Sequence, residues 1–103
     1  MINLLKKLLG IGAKADFAEL ARKGATILDV RTQSEFQNEH ITGSMNIPIQ
    51  ELQGNLSKLD KDKPVIICCA SGVRSAAAKN ILKTDGFSEV YNGGGWASLQ
   101  RKL

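Results

Sequence analysis

Only two cysteines, two prolines, one histidine and one tryptophan occur in the 103 residues, and each scarcity closes off a class of protein. Cys68 and Cys69 are neighbours, and a disulfide between adjacent residues would close a strained small ring, so the spaced staples of small secreted scaffolds are missing. A reducing, cytoplasmic setting is the expectation. The two thiols and lone His40 are too few for a zinc site, and no metal is expected. Two prolines and no low-complexity tract speak against disorder. No apolar run is long enough to span a bilayer, so no membrane span is expected. A concentrated basic face is missing as well. The 14 Lys and Arg are scattered, without zinc-finger spacing or interleaved basic and aromatic residues, which argues against nucleic acid. Their surplus over 10 Asp and Glu still leaves a net charge of +4, a field that favours small anions without choosing among them.

What is present suits one domain: 43% hydrophobic and 23% charged residues, in a length with room for a single core. Residues 1–15 read as an N-terminal amphipathic segment, with Leu4, Leu5, Leu8 and Leu9 on one helical face and Lys6 and Lys7 opposite, packed on the domain that follows. Its apolar stretch from Leu8 to Ala13 is shorter than a secretory h-region of about 7 to 15 residues, despite the Ala13-Lys14-Ala15 that resembles a cleavage site. Residues 16–103 form the domain itself. Asp16 and Glu19 have capping-box spacing for a helix that Gly24 ends, and Thr32 and Glu35 repeat the spacing before a second short helix reaching about Asn38. "ATILDV" reads as a buried strand, "HITGSMNIP" as a glycine turn into a brief extended segment, and "KPVIICC" as a central parallel strand covered on both faces. Pro48 begins a helix with Leu52, Leu56 and Leu59 on one face. Ser75 to Thr84 is helical and stops at Asp85-Gly86, "EVYN" is another strand, and Gly93 to Gly95 turn the chain into a last helix with Trp96 and Leu99. Alternating strands and helices mean an α/β fold with a mostly parallel sheet.

The stretch "IICCASGVRSAAAKNIL", residues 66 to 82, puts a thiol between a strand end and a helix start. Open α/β sheets bind ligands at that junction. The positive end of the helix dipole and unpaired backbone N–H groups stabilise a thiolate over a thiol there. Strand alternation sends Cys68 and Cys69 to opposite faces, so Cys68 reads as a small core residue and Cys69 as the nucleophile. The small residues after it let the backbone curl into an anion cradle, with Gly72 free to take conformations other residues avoid. Arg74 adds a charged fork suited to oxyanions.

These residues resemble the single-domain rhodanese, or sulfurtransferase, family. "CASGVRS" is similar to its active-site loop, "ILDVRTQSEFQNEHITGSMNIP" to its Asp-Val-Arg signature, and "VYNGGGW" to its C-terminal Gly-Gly and Trp. Glu39 stands where a Gly often precedes the His, and Cys68 where a Tyr is often found. The resemblance implies a rhodanese-like α/β domain with a central five-stranded, mostly parallel sheet flanked by helices. It implies that Cys69 accepts sulfane sulfur from a small anionic donor such as thiosulfate as a persulfide. The sulfur then passes to a thiol or cyanide acceptor, or to a protein persulfide partner. Backbone groups of Ala70, Ser71, Gly72, Val73, Arg74 and Ser75 would hold substrate and persulfide, with the Arg74, Ser71 and Ser75 side chains on the donor's oxygens. No cofactor is required, and the chain is expected to act as a monomer.

Asp29 and Arg31 end the other recognisable strand. Asp29 is expected to be structural, while Arg31 either lends charge to the site or braces a loop through an ion pair. His40, in a turn, reads as a structural histidine, and Trp96 as core that could wall the pocket. Two other readings stand beside the enzyme. A non-catalytic rhodanese-like module would be expected to lack the cysteine that is present here. A phosphatase of the same fold would use a longer loop than the four residues between Cys69 and Arg74.

Overall fold

A computed structural model describes residues 15–103, so the segment expected over residues 1–15 lies, apart from Ala15, outside the described residues. Helix α1 (Phe17–Arg22) opens at Asp16, whose carboxylate accepts the Glu19 amide at 3.1 Å, and ends before Gly24 at φ 98°, a left-handed conformation that glycine takes without strain. Strand β1 (Thr26–Asp29) leads into helix α2 (Gln33–Asn38). Both halves of the α2 capping box form: Thr32 Oγ1 accepts the Glu35 amide at 3.2 Å, and Glu35 Oε1 accepts the Thr32 amide at 3.0 Å.

Strand β2 is only Met45–Asn46. Helix α3 (Ile49–Leu52) follows Pro48 and tightens into a 3-10 turn over Gln53–Lys58, where Asn55 leaves helical geometry. The single helix expected here is therefore two pieces. Gly54 and Asn55 are poor helix formers, and the Asn55 amide donates to the Glu51 carbonyl at 2.7 Å, a side-chain bond that competes with the backbone ladder. Leu52 and Leu59 are buried nonetheless, and Leu56 packs against them.

Strand β3 (Val65–Cys69) is buried along its whole length, and helix α4 (Val73–Thr84) begins two residues earlier than the sequence suggests. Strand β4 (Val90–Gly95) is longer than expected and contains the three glycines read as a turn; helix α5 (Trp96–Gln100) follows directly. At Gly93 the cause is space. A Cβ there would lie 2.9 Å from Leu99 Cδ2 and 3.0 Å from Ile66 Cγ2, so only glycine lets this strand press onto the core.

The strands are ordered β2-β1-β3-β4, and every pair is parallel. Among the described residues the sheet has four strands, one fewer than the resemblance implied, because the chain between these runs folds into helices and turns. Residues alternate along β3 between two apolar clusters. Val65, Ile67 and Cys69 pack with Leu28, Val30, Leu52, Ala78 and Leu82; Ile66 and Cys68 pack with Ile41 and Leu99. Each buried Leu or Ile contributes roughly 1.5 to 3 kcal/mol, so two covered faces supply most of the drive to fold.

Strand order also locates a crevice. The chain leaves β1 toward β2 on one side and β3 lies on the other, so the order reverses between β1 and β3. Ligands of open α/β sheets bind outside the carboxyl ends of the strands at such a point. Asp29 and Cys69 are the residues that end those two strands.

Candidate active site

Helix α4 lacks an ordinary cap. Its N-cap residue is Gly72 at φ 106°, which has no side chain to accept the free amides of the first turn. The sulfur of Cys69 fills that role: Sγ accepts the Gly72 N–H at 2.9 Å and the Ser75 N–H at 3.4 Å. Burial alone would push the thiol's pKa up. The hydrogen bond shared with the Ser75 hydroxyl, and those from the Ser75, Gly72 and Ser71 amides, outweigh it and bring the pKa below the ordinary thiol value. Cys69 is only 1% exposed, with exposed Ala70, Ser71 and Val73 above it. The Cys69 sulfur therefore sits at the bottom of the loop. On the opposite face Cys68 is fully buried, and desolvation followed by the nearby Asp29 charge pushes its pKa up to about 12.

Strand β4 walls the loop. A Cβ on Gly95 would lie 2.8 Å from the Ala70 carbonyl oxygen, and one on Gly72 would lie 3.3 Å from Gly94 Cα. Gly95 has an ordinary extended backbone, so space rather than conformation demands glycine there. Gly95→Ala should push the Ala70 carbonyl outward and lower stability by about 1 to 3 kcal/mol, the usual cost of overpacking. Thermal unfolding together with the alkylation rate of Cys69 checks this; a variant unchanged in both would show that the wall is not tight.

Arg74 is paired. Its Nη1 and Nη2 donate to Glu35 Oε1 and Oε2 at 2.8 and 3.1 Å, joining α4 to α2. The Arg74 guanidinium, then the Thr32 amide, hold the Glu35 carboxyl at a pKa of about 2, so the pair is fully formed at neutral pH and is lost only as the pH falls toward that value. Arg31 is buried. It grips Asp29 with Nε and Nη2 at 3.0 and 2.7 Å, and donates from Nη2 to the Glu39 carbonyl at 2.7 Å and from Nη1 to the Glu35 carbonyl at 3.4 Å. Trp96 stacks on the same guanidinium, 4.9 Å from ring centroid to Cζ. The ion pair and the loop brace are thus both formed, and they tie the end of β1 to α2. His40 stacks on Phe36 with centroids 3.8 Å apart, and its Nδ1 donates to the Phe36 carbonyl at 2.7 Å. Among the described residues no three His, Cys, Asp or Glu side chains gather as metal ligands would.

Three residues at this site carried no functional signal in the sequence. Glu35 was accounted for by its capping box, Asn46 by a short strand and Asn92 by a strand end. Asn46 Nδ2 donates to the carbonyls of Asp29 and Arg31, both at 3.0 Å, and fixes the turn after β1. Asn92 Oδ1 lies 2.6 Å from Ser75 Oγ, which itself lies 3.6 Å from Cys69 Sγ.

Residues 13–102 match the family model described as Rhodanese-like domain. The chain is 40% identical over 68 residues to the Bacillus subtilis protein YqhL, named only as uncharacterized; the match covers 66% of this chain and 54% of YqhL, so the chain spans about half the length of that relative. It is 37% identical over 75 residues to thiosulfate sulfurtransferase GlpE of Coxiella burnetii, covering 72% of this chain and 70% of GlpE. A solved structure titled as a rhodanese with anions from E. coli superposes with a TM-score of 0.68 at 34% identity, over 73% of this chain and 91% of that one.

Proposed function

Because the chain belongs to the Rhodanese-like domain family, we propose that it is a sulfurtransferase that carries sulfane sulfur as a persulfide on Cys69. The observation that carries the reading is the capping of α4 by the Cys69 sulfur, which aims two amide N–H groups at a thiol of lowered pKa. The thiolate attacks the outer sulfur of a donor such as thiosulfate. A bond forms between Sγ and that sulfur, the bond from it to the sulfonate sulfur breaks, and the electron pair leaves with sulfite. A thiolate or cyanide then attacks the terminal sulfur, and the electron pair of the sulfur–sulfur bond returns to Cys69. The backbone donors of the loop stabilise the anionic forms in the way an oxyanion hole does. A sulfur recessed under Ala70 and Ser71 suits a donor whose reacting atom stands at the end of a narrow chain. The reading includes a reducing compartment, where both free thiols would persist.

Thiosulfate should add one sulfur atom to the protein, on Cys69, and cyanide should remove it. Intact mass and peptide mapping read both steps. A folded protein that takes up no sulfur from thiosulfate or from a low-molecular-weight persulfide would favour the non-catalytic interaction module.

Arg74 can take part only with what Glu35 leaves it. Two of the five guanidinium N–H groups are committed to the carboxylate, and the others can meet a donor's oxyanion. Arg74→Ala should lower kcat/KM for thiosulfate about ten- to a hundredfold, the loss of a charge-assisted hydrogen bond of roughly 1.5 to 3 kcal/mol. With a weakly charged persulfide donor the loss should be small. Equal loss with every donor would mean that Arg74 acts by bracing the loop through Glu35 rather than by binding substrate.

A further inference from the structure

The Ser75 hydroxyl has one proton and three neighbours that compete for it. Its Oγ lies 2.6 Å from Asn92 Oδ1, 3.0 Å from the Gly72 carbonyl and 3.6 Å from Cys69 Sγ. Both oxygens can only accept, and the shortest contact takes the proton to Asn92. The sulfur then faces a hydroxyl lone pair, which suits a thiol, since a thiol can donate to it. It does not suit a thiolate, which needs the proton for itself.

Asn92 is well held for this task. The Gly94 N–H donates to its Oδ1 at 2.9 Å, and its Nδ2 lies 3.3 Å from the Gly72 carbonyl, so both neighbours set the same orientation of the amide. It pairs in register with Ile67 just before the ladder shifts at Gly93, which turns the strand end toward the loop. We propose that Asn92 is a positioning residue: it holds the Ser75 proton away from Cys69 while the sulfur is a thiol or carries a persulfide, and releases it when the sulfur is a thiolate. In the persulfide the charge has moved to the outer sulfur, so Sγ no longer needs the hydroxyl and the Ser75–Asn92 bond re-forms. The thiol's own proton passes to solvent on ionisation; between thiolate and persulfide no proton leaves the site, and one hydroxyl turns between two acceptors. Forming the free thiolate therefore includes giving up the Ser75–Asn92 bond, and Asn92 sets the thiol less acidic than the loop alone would make it.

Other charges also act on Cys69. Arg74 on α4 and the adjacent Cys68 on β3 interact with it directly, Glu35 on α2 is the partner of Arg74, and Asp29 with Arg31 at the end of β1 acts on the neighbouring Cys68. Strand β4 brings only Tyr91, on the Cys68 face. None of these is altered by changing Asn92, which isolates its effect.

The test is the pH dependence of Cys69 alkylation by iodoacetamide, with the modified residue assigned by mass spectrometry, and it stands whether or not the protein transfers sulfur. Asn92→Ala should move the midpoint down by roughly half to one pH unit, the size of one neutral hydrogen bond. Asn92→Leu, nearly the same shape but without an acceptor, should also move it down, and serves if alanine loosens the loop. In a Ser75→Ala background Asn92→Ala should leave the midpoint where that single variant has it. A midpoint that Asn92→Ala raises or leaves in place, or an equal downward shift without the Ser75 hydroxyl, would overturn the proposal. Either would make Asn92 a brace for Gly94 and Gly72 only.

Discussion

Cys69→Ser should abolish the proposed sulfur transfer, by on the order of a thousandfold or more, because a hydroxyl in the same cradle is not ionised near neutral pH and cannot form a persulfide. The cradle itself should survive, since a serine oxygen can still accept the Gly72 and Ser75 amides that cap α4. Lost activity with a near-native melting temperature is thus the expected pair of readings. The neighbouring thiol supplies the control. Cys68 lies on the other face among Ile41, Ile66 and Leu99 with its pKa pushed up to about 12, so it is inert and shielded. Cys68→Ala should keep transfer, at a modest cost in packing. Cys68→Ser should keep it too but lose about 1 to 3 kcal/mol of stability if its hydroxyl finds no partner in that apolar cluster. Turnover with thiosulfate, mass mapping and chemical denaturation separate these outcomes. Sulfur on Cys68, or activity retained by Cys69→Ser, would end the assignment.

Asp29→Ala should be the most damaging change away from Cys69. The Asp29 carboxylate is fully buried and is gripped by Arg31, itself almost fully buried, so its removal strands a guanidinium in the interior. Breaking a buried pair in this way costs about 3 to 5 kcal/mol, a large share of the roughly 5 to 15 kcal/mol that a domain of this size has. At about 4 to 8 °C per kcal/mol the melting temperature should fall by roughly 12 °C or more. Function should fail together with stability. Arg31 also donates to the Glu35 and Glu39 carbonyls, so releasing it loosens the helix that presents Glu35 to Arg74. Urea unfolding of Asp29→Ala beside Asp29→Leu/Arg31→Met decides the point. The double variant, which removes both charges, should recover part of the loss, and a single variant that loses under about 1 kcal/mol would mean that the pair is not holding the strand end.

The features legible in the sequence are those whose physics is local. Asp16 with Glu19 and Thr32 with Glu35 are three residues apart, and a cap needs nothing farther away to form. The burial of "VIICC" follows from an uninterrupted apolar run. The opposite facing of Cys68 and Cys69 follows from the two-residue period of a strand, and both are as read. The cradle at Cys69 was also legible, because the strand end, the glycine and the helix start occupy seven consecutive residues.

What only the tertiary structure decided lies across the sheet. Glu35 meets Arg74 from 39 residues away, Asn92 meets Ser75 from 17, and Asn46 reaches Asp29 from 17. Those pairings depend on the strand order β2-β1-β3-β4 and on the ladder shift at Gly93, neither of which leaves a periodic trace in one chain. The glycines of "NGGG" make the same point. Glycine in a sequence announces either a turn or a close approach, and the choice here was set by Leu99, Ile66 and Ala70, residues that come to Gly93 and Gly95 only when β4 docks against β3. Backbone preferences and periodicity are properties of neighbours along the chain, whereas shared protons and ion pairs belong to neighbours in space, and those exist only after the core has closed.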